Sequence, residues 1–355
     1  MSQDYSAFTT LITQKLQSAG TADFSVSEVD NQIEEGLKEL AEYQPHIVPV
    51  IFKIESRYGT ASTTSTDNLI DTAKGQFITA DATDEKVVHN TLDNTWAVVL
   101  SVASTAEIGL SRNIFIKDES YRIYNKRCWN KKQIFIGDIG NYEIDSVEYP
   151  LNNKRNWRLL DGNNVLEMKV DTVEDSNAGS TITTSPNVDV LVRFNKPHVL
   201  SQLTDWAGKF AATAAAGATT LSGSSLQTAG TIEVGEEFNV ENHKSTYIVT
   251  TEATIAANTA VITFYPPLES AVASTAWTFT FVKSSLLPSQ ENIFADLVAA
   301  RLSINKAPKF FNIIPLGGGG VGGNYLSWGE RKLGEALSKL RRGTAPKVKA
   351  TYPTE

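Results

Sequence analysis

Apolar positions recur at three- and four-residue spacing near both ends of the chain and alternate through its middle. Tyr5, Phe8, Leu11, Ile12 and Leu16 share one face of a predicted helix that Gly20 stops. A second helix is predicted to start at Ser25 or Ser27, whose hydroxyls suit an N-cap, and to carry Val29, Ile33, Leu37 and Leu40 on one stripe up to Pro45. Neither helix is long enough to be stable by itself, so each needs a partner from elsewhere in the chain or from another subunit. The spacing returns after Pro288 with Ile293, Phe294, Leu297, Val298 and Leu302, and again with Leu326, Trp328, Leu333, Leu337 and Leu340 up to Gly343. Residues 1–54 and 284–343 are therefore expected to form one helical body, and 344–355, with Pro346 and Pro353, an extended C-terminal arm.

The alternating middle begins at His46, where Ile47 to Ile54 is β-rich and Pro49 suits an edge strand. A Thr-rich linker after Tyr58 leads into a first β-module, 55–130, which contains Val87-Val88, Trp96 to Val99 and Tyr121 to Tyr124. A central β region, 131–204, is punctuated by Gly137-Asp138 and Asp161-Gly162-Asn163-Asn164. A second β-module, 205–283, is entered through Ala211 to Leu221, whose interleaved Thr and Gly weigh against a helix. The two modules align as a repeated unit: Glu85 to Asn90 with Glu236 to Asn242, Thr95 to Val98 with Thr246 to Val249, Ile108 to Leu110 with Ile262 to Phe264, and Tyr121 to Ile123 with Trp277 to Phe279. Shared alternation in two unrelated Thr-rich modules would give the same impression. The expected class is α+β: a discontinuous helical bundle from both chain ends, a central antiparallel sheet and two small inserted all-β modules.

Composition narrows the function classes. The 355 residues are 41% hydrophobic and 20% charged, which suits a folded chain of more than one module. A net charge of -8 argues against a body that wraps nucleic acid. Residues 331–355 run the other way, with seven Lys and Arg against two Glu. Cys128 is the sole cysteine, which excludes an intrachain disulfide and suits a reducing compartment. The N-terminus lacks the blocks of a signal peptide, and no apolar run approaches the roughly 20 residues of a membrane span.

The chemistry-bearing residues do not converge on a reaction. His46, His89, His198 and His243 show no metal-binding spacing. The G-x-S-x-G and H-E-x-x-H motifs are absent, and Cys128, within Lys126-Arg127-Cys128-Trp129-Asn130-Lys131-Lys132, is expected to be a buried thiol. The loop Gly317 to Gly323 lacks the Lys-Ser/Thr of a P-loop and reads as a connection between helices. Glu34-Glu35 and Glu236-Glu237 are adjacent, not convergent. Asp67, Asp71, Asp81, Asp84 and Glu85 miss the EF-hand spacing and read as surface charge. Trp96, Tyr121, Tyr247 and Trp277 suit sugar stacking, yet their alternation with Val, Ile and Phe places them in small β cores. No catalytic, cofactor or metal residue is assigned, and the expectation is a non-enzymatic protein.

The N-terminal hairpin from Phe8 to Pro45, with Glu34-Glu35-Gly36-Leu37-Lys38-Glu39-Leu40, resembles the opening of tailed-bacteriophage head-to-tail adaptor proteins. So does the end, where Asp296 to Leu302 precedes Leu326 to Leu333. Ile144 to Pro150, Arg155 to Leu159 and Val190 to His198 are similar to phage neck proteins. Gly217 to Leu221, Gly230 to Ile232, Gly235 to Phe238 and Pro266 to Leu268 are similar to a small β-domain of phage virion proteins. Simple adaptors are mainly helical, so two β insertions are a departure. The resemblance implies a ring subunit, expected to be dodecameric, in the virion neck and assembled in the bacterial cytoplasm. Its implied partners are the portal protein, tail and neck proteins and further copies of itself. DNA would pass through the channel without sequence-specific binding, and no membrane would be involved. Leu333, Leu337 and Leu340 would pack the helical body, and Arg341, Arg342, Lys347, Lys349 and Tyr352 would serve docking. Unpaired apolar stripes and an extended arm suit such packing. The alternatives are another virion role (tail completion, decoration or glycan binding) and a hydrolytic virion enzyme.

Overall fold

The computed structural model describes residues 4–16, 24–137, 142–175, 189–201, 203, 206–273, 275–310 and 321–343, and combines helices with antiparallel sheets. The chain divides into two units, one from Met1–Pro49 with Asn195–Val348 and one containing Val50–Phe194.

The first unit holds α1 (Tyr5–Lys15) and α2 (Val26–Tyr43), and the single turn α3 (Ala80–Thr83) lies in the second. Two 23-residue helices, α4 (Pro288–Phe310) and α5 (Val321–Gly343), return to the first unit. Each early helix starts where a side chain satisfies orphan amides: Asp4 Oδ1 accepts from the Ala7 N–H at 2.7 Å, and Ser25 and Glu28 form a reciprocal capping box. Phe8 and Ile12 of α1, Val29, Ile33 and Leu40 of α2, Phe294, Val298 and Leu302 of α4 and Leu340 of α5 make one buried cluster. Each such side chain contributes roughly 1.5–3 kcal/mol on burial. Glycines set the crossings. A Cβ on Gly36 would meet Val298 Cγ2 at 2.8 Å, and one on Gly329 would meet Ile304 Cγ1 at 2.7 Å and the Ala300 carbonyl oxygen at 2.9 Å.

β1 (His46–Lys53) leaves α2 and is the edge of a four-stranded sheet, the position its Pro49 suits. The second unit continues with β2 (Tyr58–Thr60), β3 (Asn68–Ile70), β4 (Val87–Asn90), β5 (Thr95–Ser104), β6 (Glu107–Leu110) and β7 (Ser120–Tyr124). These six form one sheet in the order β2-β7-β4-β5-β6-β3. Next come β8 (Gln133–Phe135), β9 (Glu143–Glu148), β10 (Lys154–Arg155), β11 (Trp157–Leu160), β12 (Val165–Met168) and β13 (Asp189–Lys196). The expected single central sheet is thus two. β11-β12-β8 is three-stranded, whereas β13, β9 and β10 continue from β1 in the order β1-β13-β9-β10.

The first unit then adds β14 (Ala207–Phe210), β15 (Thr220–Ser224), β16 (Ala229–Ile232), β17 (Glu237–Val240), β18 (Thr246–Thr251), β19 (Ala253–Ala256), β20 (Ala260–Tyr265) and β21 (Thr278–Phe281). Six of them close into a barrel, β14-β15-β20-β18-β17-β21, and β16 pairs with β19. Phe238 is the centre of its core, with ring centroids of Tyr247, Phe264, Phe279 and Phe281 all within 5.9 Å.

The barrel and the six-stranded sheet share one topology. Set β2, β3, β4, β5, β6 and β7 against β14, β15, β17, β18, β20 and β21, and every neighbour relation in the sheet recurs in the barrel. Register agrees as well. Gly59 faces Tyr121 as Gly208 faces Phe279, and in both pairs the aromatic ring covers the glycine, with a ring atom within 2.7 Å of where a Cβ would sit. The register breaks between Val99 and Ser101 in one and between Val249 and Thr251 in the other, matching positions on matching strands. Even the link between the first two strands recurs, Ser62 N–H to Ile70 O and Ala211 N–H to Ser222 O, each 2.7 Å. The strands paired from sequence are these strands, but only Ile108 to Leu110 with Ile262 to Phe264 was in register. Trp96 corresponds to Thr246 and Tyr121 to Phe279, because inward–outward alternation sets the register.

Candidate functional site

α5 carries the residues that the sequence marks for docking. Leu340 is buried, Leu337 packs half-buried on the same core, and Leu333 is half-buried, as is Leu326 one heptad earlier. Ala336 is buried, and Arg331, Lys339 and Arg341 are exposed together with Glu330 and Glu335, so the helix has an inner apolar edge and a charged outer one with a small basic excess. The Arg342 side chain, Lys347, Lys349 and Tyr352 lie outside the described residues, as does most of the glycine loop, while Gly322 and Gly323 begin α5.

α2 presents the opposite charge. Glu28, Asp30, Glu34, Glu35, Glu39 and Glu42 outnumber Lys38 along it. Some of these are used within the unit: Glu39 takes a two-point bond from Arg301 at 2.6 and 3.1 Å, and Glu28 pairs with Lys309 at 3.2 Å. Glu34, Glu35 and Glu42 face solvent.

Where the helices meet the barrel, two histidines far apart in the chain lie together. The His46 and His198 rings stack with centroids 5.6 Å apart. A carbonyl only accepts, so His46 Nε2 donates to Gly235 O at 3.1 Å and His198 Nε2 to Gln44 O at 2.9 Å. Ser285 then serves the other nitrogen of His198 at 3.1 Å. Both imidazoles are held neutral: burial, and for His198 also the neighbouring His46, pulls them below the ordinary range, His198 to about 4. Nearby, burial and the Glu233 charge push the Glu236 carboxyl up to about 8, and its Oε2 has no hydrogen-bond partner among the described residues.

Set against family models, characterised proteins and solved structures, the chain matches none.

Among the described residues, no group of three or more His, Cys, Asp or Glu is placed to hold a metal, and no helix is long and apolar enough to cross a membrane. Cys128 is fully buried, as expected, and burial pushes its thiol up to about 12. Two of the supposed surface carboxylates are not at the surface. Asp81 is fully buried against Arg57 and Lys86, together with Glu55, and Asp71 accepts from the Tyr121 hydroxyl at 2.6 Å. The aromatics also divide: Tyr121 and Tyr247 are core residues and Trp277 packs half-buried on the barrel core, but Trp96 points to the outer face of its sheet, where it packs half-buried on the cluster of Tyr124, Cys128 and Val165. The signal for that was present in the alternation, since Trp96 lies next to the inward Ala97.

Proposed function

We propose that the chain is a structural head-to-tail adaptor of a tailed-phage virion, a ring subunit that docks on the portal and continues the DNA channel toward the tail. The observation that supports it best is α5, whose apolar stripe is half covered by its own unit while its outer edge carries a small basic excess and its C-terminal end continues into residues 344–355. In this reading the helices of both chain ends act as one discontinuous bundle, and the β regions are insertions into it. A half-covered stripe suits packing against a neighbouring copy, and basic α5 beside acidic α2 is complementary head to tail, the relation that generates a ring. The DNA channel needs no grip, and an acidic chain provides little. Removing residues 344–355 tests the docking step: the truncated chain should fold with an unchanged melting temperature and lose co-sedimentation with portal particles. Full retention on the portal would remove the arm from the mechanism.

A further inference from the structure

The shared topology of the two six-stranded modules supplies an internal control for what the fold itself requires, and one row of residues departs from it. On the outer face of the open sheet, Tyr58 lies opposite Arg122, Arg122 opposite His89, and His89 opposite Trp96, across four neighbouring strands. Their chain neighbours Gly59, Tyr121, Val88, Asn90 and Ala97 point inward and are buried. The matching row in the barrel is Ala207, Thr280, Asn239 and Thr246, small and polar. Trp96 packs half-buried on the cluster of Tyr124, Cys128 and Val165, whereas Tyr58 and Trp129 are exposed and belong to no buried cluster among the described residues.

The rings are arranged for stacking. His89 lies on Trp96 with centroids 3.8 Å apart and planes 8° from parallel, and Trp129 stands edge-on to Trp96 at 5.1 Å. Lys74 Nζ sits 3.7 Å from the Tyr58 ring centre and Arg122 5.3 Å from it. Trp129 is 56% and Tyr58 38% exposed, so both ends of the strip are open to solvent. With strands about 4.8 Å apart, the row from Tyr58 to Trp96 runs about 14 Å. At the Tyr58 end it borders an open cleft of about 410 Å³ whose lining includes Thr60, Thr91 and Ser120 as well as Asp71, Lys74 and Arg122.

Charge selects among ring-bearing ligands. Most cations around the strip are matched by carboxylates: Arg122 and Lys131 share Asp175 at 2.8 and 3.5 Å, Lys126 holds Glu85 at 2.7 Å, and Arg127 holds Asp161 at 3.2 Å, while Lys74 donates to the Tyr58 carbonyl at 2.7 Å. A phosphate backbone needs excess positive charge, which this pairing removes. A pyranose needs an aromatic face for its weakly positive C–H surface and fixed donors and acceptors for its hydroxyls, and both are here. We propose that the outer face of β2, β7, β4 and β5 is a glycan-binding strip that takes consecutive pyranose rings of a polysaccharide, with Trp129 and Tyr58 as its terminal platforms. The proposal goes beyond the neck reading and does not depend on it.

The test is the full-length chain on an array of bacterial surface polysaccharides, with an oligo-dT strand as competitor. Wild type should retain at least one polysaccharide with a blue shift in tryptophan emission. Trp129→Ala and Tyr58→Ala, both at exposed positions, should each weaken binding at least tenfold with melting temperatures unchanged. Thr246→Ala, at the matching barrel position, should leave binding intact. No retained glycan, glycan binding that survives both ring deletions, or displacement of the glycan by oligo-dT would overturn the proposal.

Discussion

Glu236 is a buried acid that folds in its protonated form. Burial first and Glu233 second raise its carboxyl to about 8, so the folded chain binds a proton that the unfolded chain releases near the ordinary glutamate value. Its stabilising contribution is full below that ordinary value and is lost as pH rises through 8. His198 has the opposite sign: lowered to about 4, it contributes fully above the ordinary histidine value and is lost as pH falls. The two slopes oppose each other in mild acid and only that of Glu236 remains from neutral to alkaline pH. Urea unfolding of Glu236→Gln should therefore match wild type near pH 4 and exceed it by about 2–4 kcal/mol above pH 8. A constant offset between the two would show that the acid is ionised in the fold. The glycine crossings give a second residue-scale expectation. At Gly329 a side chain meets the Ala300 carbonyl, which is backbone and cannot yield, whereas at Gly36 it meets only side-chain atoms, the Val298 methyl and the edge of the Phe294 ring. Gly329→Val should cost about 2–4 kcal/mol and Gly36→Ala about 1 kcal/mol in the same assay.

At the scale of elements, helices were the legible part of the sequence because their apolar stripes and caps are local. Ser25 with Glu28 announces α2, and Phe294, Val298 and Leu302 announce α4. Strand existence was legible as well. Pairing was not, since which strands meet depends on long-range register, and aromatic similarity drew Trp96 to Tyr247 and Tyr121 to Trp277 when alternation pairs them otherwise. Buried polar chemistry was hidden for the same reason. Asp81 and Arg57 lie far apart in sequence and are brought together only by the fold, as are His46 and His198. The shared topology makes its own prediction. Gly59 and Gly208 occupy one structural position under Tyr121 and Phe279, so Gly59→Val and Gly208→Val should both expel the covering ring and destabilise their modules by similar amounts, about 2–4 kcal/mol. Hydrogen exchange resolves the two modules separately, and loss confined to one of them would argue that the topologies agree without sharing this constraint.

For the whole molecule, the neck reading rests on how copies meet. α5 brings a half-covered apolar stripe and an outer edge with a small basic excess, α2 an acidic face, and head-to-tail contacts of this kind close into rings when the rotation permits. Charge makes the association salt-dependent, which favours imaging at low ionic strength. The most direct measurement is negative-stain electron microscopy of the purified chain, alone at high concentration and mixed with portal particles. The account predicts closed rings with an open centre, formed by the chain alone or seated coaxially on the portal. Single subunits in both samples, with portals left bare, would contradict it.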